Sequence, residues 1–327
     1  MENIITHTIN SYIEKISLKY HINKDELNDL WGVNENKYQN SIQKPFLKWL
    51  GGKSQIISHI IKHIPKDIEN YHEPFLGGGS VLLAVLSLQN QQKINIKNIF
   101  AYDINNDLID VYKNIQKNTE EFYSCLSNYF TKYNESGNTK ETYYYSIREK
   151  FNKKTEENSS SDRSAMFLFL NKTCFRGVYR EGPNGFNVPY GHYKTTPEMI
   201  SLEELKNISS LIKNVKFIQA SFVQSFDNFK SGDYVYLDPP YAPENTKSFV
   251  SYTKEGFNLE MHNKLFQMII KLDDKIKFTM SNANVKLVLN YFDNDKYIIK
   301  KIEAKRSINS KNPSSKTTEV LISNFYL

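Results

Sequence analysis

Apolar residues recur along this chain with two different periods, which divide the chain into elements. Short apolar runs at residues 99–102, 234–237 and 276–280 are typical of buried strands. Apolar positions at helical spacing, as in residues 80–88 and 259–272, are typical of helices packed on one face. Because strands, turns and helices alternate in this order, the pattern predicts an α/β fold with a parallel sheet.

Two stretches depart from the alternation. Residues 1–40 carry two short helical patterns followed by a polar linker, and we interpret them as an N-terminal helical extension that covers the core or joins two copies. Residues 119–211 change to helical segments followed by a stretch rich in glycine and proline, which indicates an insert. The α/β core then comprises residues 41–118 and 212–327.

Charge and cysteine content limit the partners and the kinds of site that the protein can have. The 42 Lys and Arg exceed the 36 Asp and Glu, giving a net charge of +6, which suits a polyanionic partner but also fits many ordinary proteins. The two cysteines, Cys125 and Cys174, exclude a disulfide framework and a thiolate-rich zinc site. Since every apolar run is far shorter than a bilayer, we expect a soluble, cytoplasmic protein with no membrane partner.

A glycine turn and an acid predict a cofactor that carries adenosine. Residues 77–79 are three glycines before a helical pattern, and Asp103 ends the next apolar strand 24 residues later. Nucleotide-binding sheets place an acid for ribose hydroxyls at a similar spacing, roughly 20 residues on. A plain turn is the alternative for the glycines alone. Residues 52–54 resemble the end of a phosphate-binding loop, but Leu47 stands where that motif needs glycine. Leu82 replaces the third glycine of the dinucleotide fingerprint, which argues against NAD.

The strongest local signal follows the apolar run at residues 234–237, where Asp238, Pro239, Pro240 and Tyr241 come in succession. Open α/β sheets bind ligands at the carboxyl ends of their strands. An exocyclic amine is a poor nucleophile because its lone pair is delocalised into the ring. A carboxylate and a proline-fixed carbonyl can accept its two N–H groups and favour a tetrahedral nitrogen, while a tyrosine ring can stack on a base. The alternative is a proline-terminated strand with a capping acid and a packing tyrosine.

Five separated motifs together resemble the Dam-type (D12 class) DNA adenine N6-methyltransferase family. They lie, in the family's order, at residues 45–53, 73–80, 186–191, 238–243 and 306–310. The resemblance implies a Rossmann-like S-adenosylmethionine-dependent methyltransferase core with an inserted helical and β-hairpin target-recognition domain. It also implies transfer of a methyl group to an adenine flipped out of duplex DNA, with S-adenosylhomocysteine as product.

The resemblance also assigns roles to individual positions. The residues that match catalytic positions are Asp238, Pro239 and Tyr241. Those that match S-adenosylmethionine contacts are Trp49, Lys53, Phe75, Gly77, Asp103, Phe222 and Asp238. Those that match DNA contacts are Lys48, Lys172, Phe175, Arg176, Val178, Arg180, Asn187, Pro189 and Lys194.

Within the DNA set, the resemblance separates base contacts from backbone contacts. Phe175 and Arg176 match positions that wedge beside the flipped base, and Lys48 and Arg180 match positions that read guanines. The apolar contacts match Val178 and Pro189, and the phosphate contacts match Lys172, Asn187 and Lys194. Because Lys48 and Arg180 are both present, we expect a 5′-GATC-like site.

Three features depart from the family pattern. Arg176 stands where an asparagine is usual, and the hairpin at residues 181–185 differs locally, so the recognition sequence does not transfer strictly. Ser221 stands where family members often carry an acid, which leaves the adenine of the donor to Phe222 and the backbone.

Two other functions remain open from the sequence. The same nitrogen chemistry fits structured RNA or a protein amide as substrate, and a methyltransferase-like chain can act as a non-catalytic DNA-binding module. No metal is expected, because His59 and His63 lack the glutamate of a zincin helix and methyl transfer from a sulfonium needs no Lewis acid. A restriction endonuclease acting on the same site is a candidate partner.

Overall fold

The computed structural model describes residues 42–153, 159–243, 257–305 and 316–326. The predicted extension at residues 1–40 and the predicted motif at residues 306–310 lie outside the described residues. From Lys44 to the end, the chain forms one compact unit.

Within these ranges a sheet of seven strands runs through the unit, with a short hairpin apart from it. In chain order the strands are β1 (Asp67–Glu73), β2 (Asn95–Asp103), the hairpin strands β3 (Glu181–Gly182) and β4 (Gly185–Phe186), β5 (Val215–Gln219), β6 (Tyr234–Leu237), β7 (Lys277–Ala283), β8 (Ile298–Lys305) and β9 (Lys316–Ser323). The order across the sheet is β5-β2-β1-β6-β7-β9-β8. The first five strands in this order are parallel, and β9 runs antiparallel to both β7 and β8.

Helices cover the sheet and build the segment between β2 and β5. They are α1 (Ile57–Ile61), α2 (Ser80–Asn90), α3 (Asn106–Lys117), α4 (Thr119–Glu135), α5 (Lys140–Lys153), α6 (Ser160–Thr173), α7 (Leu202–Ile212), α8 (Phe222–Phe226), α9 (Leu259–Ile270) and α10 (Lys286–Phe292). Side-chain oxygens of Asn105, Ser159, Ser201 and Asn258 cap α3, α6, α7 and α9, as polar residues at helix starts predict. The α/β class expected from the sequence is confirmed.

The strand β1 has no apolar run to mark it, and the sequence pattern did not identify it. Its residue His72 is buried, and its Nε2 lies 3.0 Å from Oδ2 of Asp233, which precedes β6. The hydroxyl of Tyr102 on β2 lies 3.1 Å from the other ring nitrogen of His72. Because these polar groups satisfy one another, β1 occupies the centre of the sheet although its sequence is polar.

The helices between residues 119 and 173 are held firmly to the core. Arg163 on α6 donates two hydrogen bonds to the carboxylate of Asp107 on α3, at 2.7 and 2.9 Å. The amide of Asn114 on α3 donates to the hydroxyls of Ser160 and Ser164 at 2.8 and 2.9 Å. The helix α7 packs on α2 and α3. The limits of a recognition insert at 119 and 211 stay a prediction.

Candidate active site

The carboxyl ends of three neighbouring strands meet at one edge of the sheet. In the order β2-β1-β6, these strands end at Asp103, Glu73 and Leu237, and Asp238 follows directly. Since all three run parallel, the acids lie on the same edge, where parallel sheets bind their ligands.

Asp238 forms a salt bridge with Lys53, 2.8 Å from Nζ to Oδ1. Lys53 is only 3% exposed, and its ammonium also donates to the carbonyl of Gly51. Its backbone N–H donates to Oγ of Ser80, the first residue of α2, at 3.1 Å. Burial raises the pKa of Asp238 to about 6, and the Lys53 ammonium opposes that rise. Near pH 7 the carboxylate form therefore predominates.

Two contacts hold the side chain of Tyr241, one at its hydroxyl and one at its ring. Its hydroxyl donates a hydrogen bond of 2.6 Å to Oε2 of Glu319 on β9, and the ammonium of Lys53 lies 4.7 Å from the ring centroid. Burial, followed by the charges of Asp238 and Glu319, raises the pKa of Tyr241 well above its ordinary value. The ring is therefore a neutral, immobilised surface.

Two buried side chains hold the backbone of the turn on either side of Tyr241. Nε2 of His262 on α9 lies 3.0 Å from the carbonyl oxygen of Pro240. The backbone N–H of Ala242 donates to Oδ1 of Asn282 on β7 at 3.1 Å. His262 and Asn282 are 1% and 0% exposed, so water does not compete for these bonds. The turn is rigid because different elements hold both flanks.

The glycine turn owes its composition to neighbouring side chains of the protein itself. Gly77 has a φ of +50°, and a Cβ added there would lie 2.8 Å from Cδ1 of Trp49; one added at Gly78 would lie 2.8 Å from Cβ of Trp49. The N–H of Gly77 donates to Oδ2 of Asp103 at 3.0 Å, and Oδ1 of Asp103 accepts from the N–H of Asn105 at 2.9 Å. Trp49 and Asp103, both expected at a donor site, therefore shape the turn directly.

The predicted aromatic contacts Phe75 and Phe222 lie against each other. Their ring centroids are 5.7 Å apart with planes at 27°, and Phe257 packs on both rings. Ser221 caps α8 through a reciprocal pair of bonds with Gln224, which accounts structurally for a serine at this position.

The stretch from residue 171 to 194, called the arm below, contains most of the predicted DNA contacts. The buried amide of Asn171 accepts from the N–H of Lys48 at 3.0 Å and donates to its carbonyl at 2.7 Å. The Lys48 ammonium lies 4.7 Å from the ring centroid of Tyr193. Gly177 has a φ of +66°, and any Cβ there would meet the Lys48 side chain. Lys48 is thus part of the arm in space, although it is distant in sequence.

The remaining predicted contacts surround the hairpin of the arm. Phe175 is 48% exposed, and the guanidinium of Arg176 lies 5.1 Å from its ring centroid. Arg180 donates to Oδ1 of Asn187 at 2.8 Å, and the N–H of Phe175 donates to the carbonyl of Pro189 at 2.8 Å. Val178 and Lys172 are half-buried and Lys194 is exposed. Burial and the nearby charge of Lys48 lower the pKa of Lys172.

A sequence model of the D12 class N6 adenine-specific DNA methyltransferases matches residues 49–308. The chain belongs to this family. The predicted family and enzyme class are therefore confirmed, and with them the Rossmann-like methyltransferase fold expected from the sequence. A methyltransferase of this family takes a methyl donor and acts on DNA.

Curated relatives match most of the methyltransferase. The type II methyltransferase M.MjaIII of Methanocaldococcus jannaschii is 40% identical over 296 residues, which cover 86% of this chain and 99% of the relative. The type II methyltransferase M1.LlaDCHI of Lactococcus lactis subsp. cremoris is 34% identical, covering 86% and 95%. The DNA adenine methylase of Escherichia coli (strain K12) is 32% identical, covering 85% and 94%.

Three side chains around the turn at residues 238–242 of the methyltransferase escaped the sequence analysis. Glu319, His262 and Asn282 lie 78, 22 and 40 residues from their partners in the turn, in segments that carry no motif of their own. The signal available in the sequence was a polar residue among the apolar positions of a helix or strand, as at His262 and Asn282. Only the order of the strands shows which groups these buried side chains contact.

The described part of the chain holds no group of three His, Cys, Asp or Glu side chains arranged for a metal ion. None of its helices is both long and apolar enough to cross a bilayer.

Proposed function

We propose that this methyltransferase uses S-adenosylmethionine to methylate N6 of an adenine flipped out of duplex DNA. The observation that carries the proposal is the arrangement of the half-buried side chains of Asp238 and Tyr241, which Lys53 and Glu319 hold in place. A flipped base can stack on the immobilised ring while its amine reaches the carboxylate.

The donor site in this proposal consists of Lys53, Phe75, Gly77, Asp103 and Asp238, with Trp49 and Phe222 beside them. Its chemistry fits the donor: aromatic rings suit adenine, a carboxylate suits ribose hydroxyls, and the half-buried carboxylate of Asp238 suits a nearby cation. When bound, S-adenosylmethionine supplies an electrophilic methyl group on a sulfonium.

The protein's part in the reaction lies at the amine. The carboxylate of Asp238 and the carbonyl of Pro239 accept the two N6 hydrogens, which favours a tetrahedral nitrogen with an available lone pair. Asp238 then takes the proton that the nitrogen releases after methylation. His262 and Asn282 keep the acceptors rigid, so they need no rearrangement in the transition state.

The arm reads the DNA in this proposal, within an insert at residues 119–211. Lys48 and Arg180 read guanines, Phe175 and Arg176 fill the space beside the extruded base, and Val178 and Pro189 contact bases. Lys172, Asn187 and Lys194 contact phosphates. The exposure of Phe175 and the support of Lys48 by Asn171 favour these roles. We therefore propose a GATC-like site.

The deciding experiment combines sequencing with one variant. Single-molecule sequencing of DNA from cells that express the protein should place N6-methyladenine in GATC-like sites, and a site without flanking G·C pairs would contradict the proposed sequence. Asp238→Ala should abolish transfer from labelled S-adenosylmethionine. Binding of the donor should be weakened but still measurable, because Phe75, Gly77 and Asp103 remain. Structured RNA, tested beside duplex DNA, should accept no label.

Two relatives are named type II methyltransferases, so we also propose a restriction endonuclease with the same site as a partner. DNA methylated by this protein should resist an endonuclease that cuts the sequenced site. Cleavage at the unmethylated rate would remove the proposal.

A further inference from the structure

Tyr179 lies between the two halves of the site, in the arm directly before Arg180. Its ring stacks on Trp49, with centroids 5.5 Å apart and planes at 21°. Trp49 in turn lies against Gly77 and Gly78 so closely that neither position has room for a Cβ. One stack of rings therefore joins the glycine turn to the arm.

The hydroxyl of Tyr179 lies between the hairpin of the arm and the acid turn that follows β2. It donates to Oε1 of Glu181 in the hairpin at 2.5 Å, and the side chain of Asn105 lies beside it. The N–H of Asn105 is bound by the carboxylate of Asp103 at 2.9 Å. Tyr179 thus contacts the arm through Glu181 and the acid turn after β2 through Asn105.

Packing leaves the Tyr179 ring little freedom. Phe167 of α6 and Phe186 of β4 lie 5.4 and 5.6 Å from it, centroid to centroid. A displacement of the glycine turn or of Trp49 must therefore move Tyr179, and the neighbouring Arg180 with it. Stacked aromatic rings attract each other beyond the effect of the area they bury, so the connection resists separation.

We propose that Tyr179 is a positioning residue that couples occupancy of the donor site to DNA binding by the arm. A bound donor fixes the glycine turn and the acid turn, and through Tyr179 it fixes the arm in the position that reads the DNA. This inference rests on the proposed function, because it takes S-adenosylmethionine as the donor and the arm as the DNA-reading segment.

The test is the coupling between the two ligands in the full-length protein. The dissociation constant for a duplex that contains the sequence methylated by the enzyme is measured with and without saturating S-adenosylhomocysteine. Wild type should bind the duplex roughly 5-fold or more tightly with the product bound, and by linkage the duplex should tighten S-adenosylhomocysteine by the same factor. Tyr179→Ala should bring both ratios close to 1.

Two further variants separate coupling from general damage. Tyr179→Phe keeps the stack on Trp49 and should retain most of the coupling. Tyr145→Ala removes another half-buried tyrosine, which contacts Tyr144 and Arg148 on α5, and should leave the ratio at the wild-type value. If Tyr179→Ala does not fold, Tyr179→Leu keeps the apolar volume without a flat ring and replaces it.

Each result has one meaning. Wild-type coupling that survives in Tyr179→Ala or Tyr179→Leu overturns the inference alone, as does a wild type that methylates DNA but shows a ratio of 1. A wild type that neither binds S-adenosylhomocysteine nor methylates DNA overturns the proposed function instead.

Discussion

The hydroxyl of Tyr241 donates a hydrogen bond of 2.6 Å to Oε2 of Glu319, although 78 residues separate them. Glu319 lies on β9, opposite Ala283 of β7, so antiparallel pairing at the far side of the sheet places an acid beside the turn that contains Tyr241. The orientation of the Tyr241 ring is thus a product of strand order.

We predict that Glu319→Gln lowers kcat about tenfold and leaves the KM for the donor nearly unchanged. A bond to a neutral amide is weaker than one to a carboxylate by about 1 kcal/mol, and the ring loses its fixed tilt. Steady-state kinetics of wild type, Glu319→Gln, Tyr241→Phe and the double variant measure the effect. If the two substitutions act additively, the bond does not serve the reaction.

Activity should decline below about pH 6 as Asp238 takes up a proton. Burial raises the pKa of Asp238 from 3.8 to about 6, and a neutral carboxyl group is a poorer acceptor for the amine and for its proton. The rate should therefore be full above this pH and fall about tenfold per pH unit below it. A pH profile of single-turnover rates checks this prediction.

Lys53→Met should move the acid limb of that profile to higher pH. The ammonium lies 2.8 Å from the carboxylate and opposes the rise in its pKa, so its removal makes protonation easier. Lys53→Arg keeps the charge and should leave the limb nearer its wild-type position. An acid limb in Lys53→Met at or below the wild-type pH contradicts the assignment to Asp238.

Glu73 should make the fold less stable as the pH rises. Burial raises its pKa from 4.5 to about 8, so between these values the folded state binds a proton that the unfolded state has released. Stability is therefore lost as pH rises through this window. Glu73→Gln resembles the protonated form and can still accept the hydrogen bond from Tyr71. The melting temperature, measured at about pH 5, 7 and 9, should fall more steeply with pH in wild type than in Glu73→Gln. An equal fall in both proteins would contradict the raised pKa of Glu73.

Asn171→Ala should weaken DNA binding about tenfold without changing donor binding in the absence of DNA. Asn171 is 4% exposed and satisfies both the N–H and the carbonyl of Lys48, and leaving such groups unpaired costs about 1–3 kcal/mol. Fluorescence anisotropy with duplexes altered at one flanking base pair should show lower discrimination at the position that Lys48 is proposed to read. Asn171→Asp can still accept a hydrogen bond from the N–H of Lys48, so its affinity for DNA should lie between those of wild type and Asn171→Ala. If discrimination between base pairs is unchanged, Lys48 does not read a base.

The sequence by itself determined the features that depend on local backbone conformation. Glycines at 77–79 permit positive φ and prolines at 239 and 240 fix φ, so both favour turns, and the continuous apolar run of β6 predicts a buried strand. The family resemblance follows from such local motifs and was confirmed by the match over residues 49–308.

Only the tertiary structure decided which side chains meet. The polar β1 is central because Asp233 and Tyr102 satisfy His72, and no local pattern contains that information. Likewise, the contact of Glu319 with Tyr241 and the stacking of Tyr179 on Trp49 join segments that are distant in sequence. Strand order and long-range packing produce these contacts. Backbone preference acts over a few residues, so it can place a turn but not its partner across the sheet.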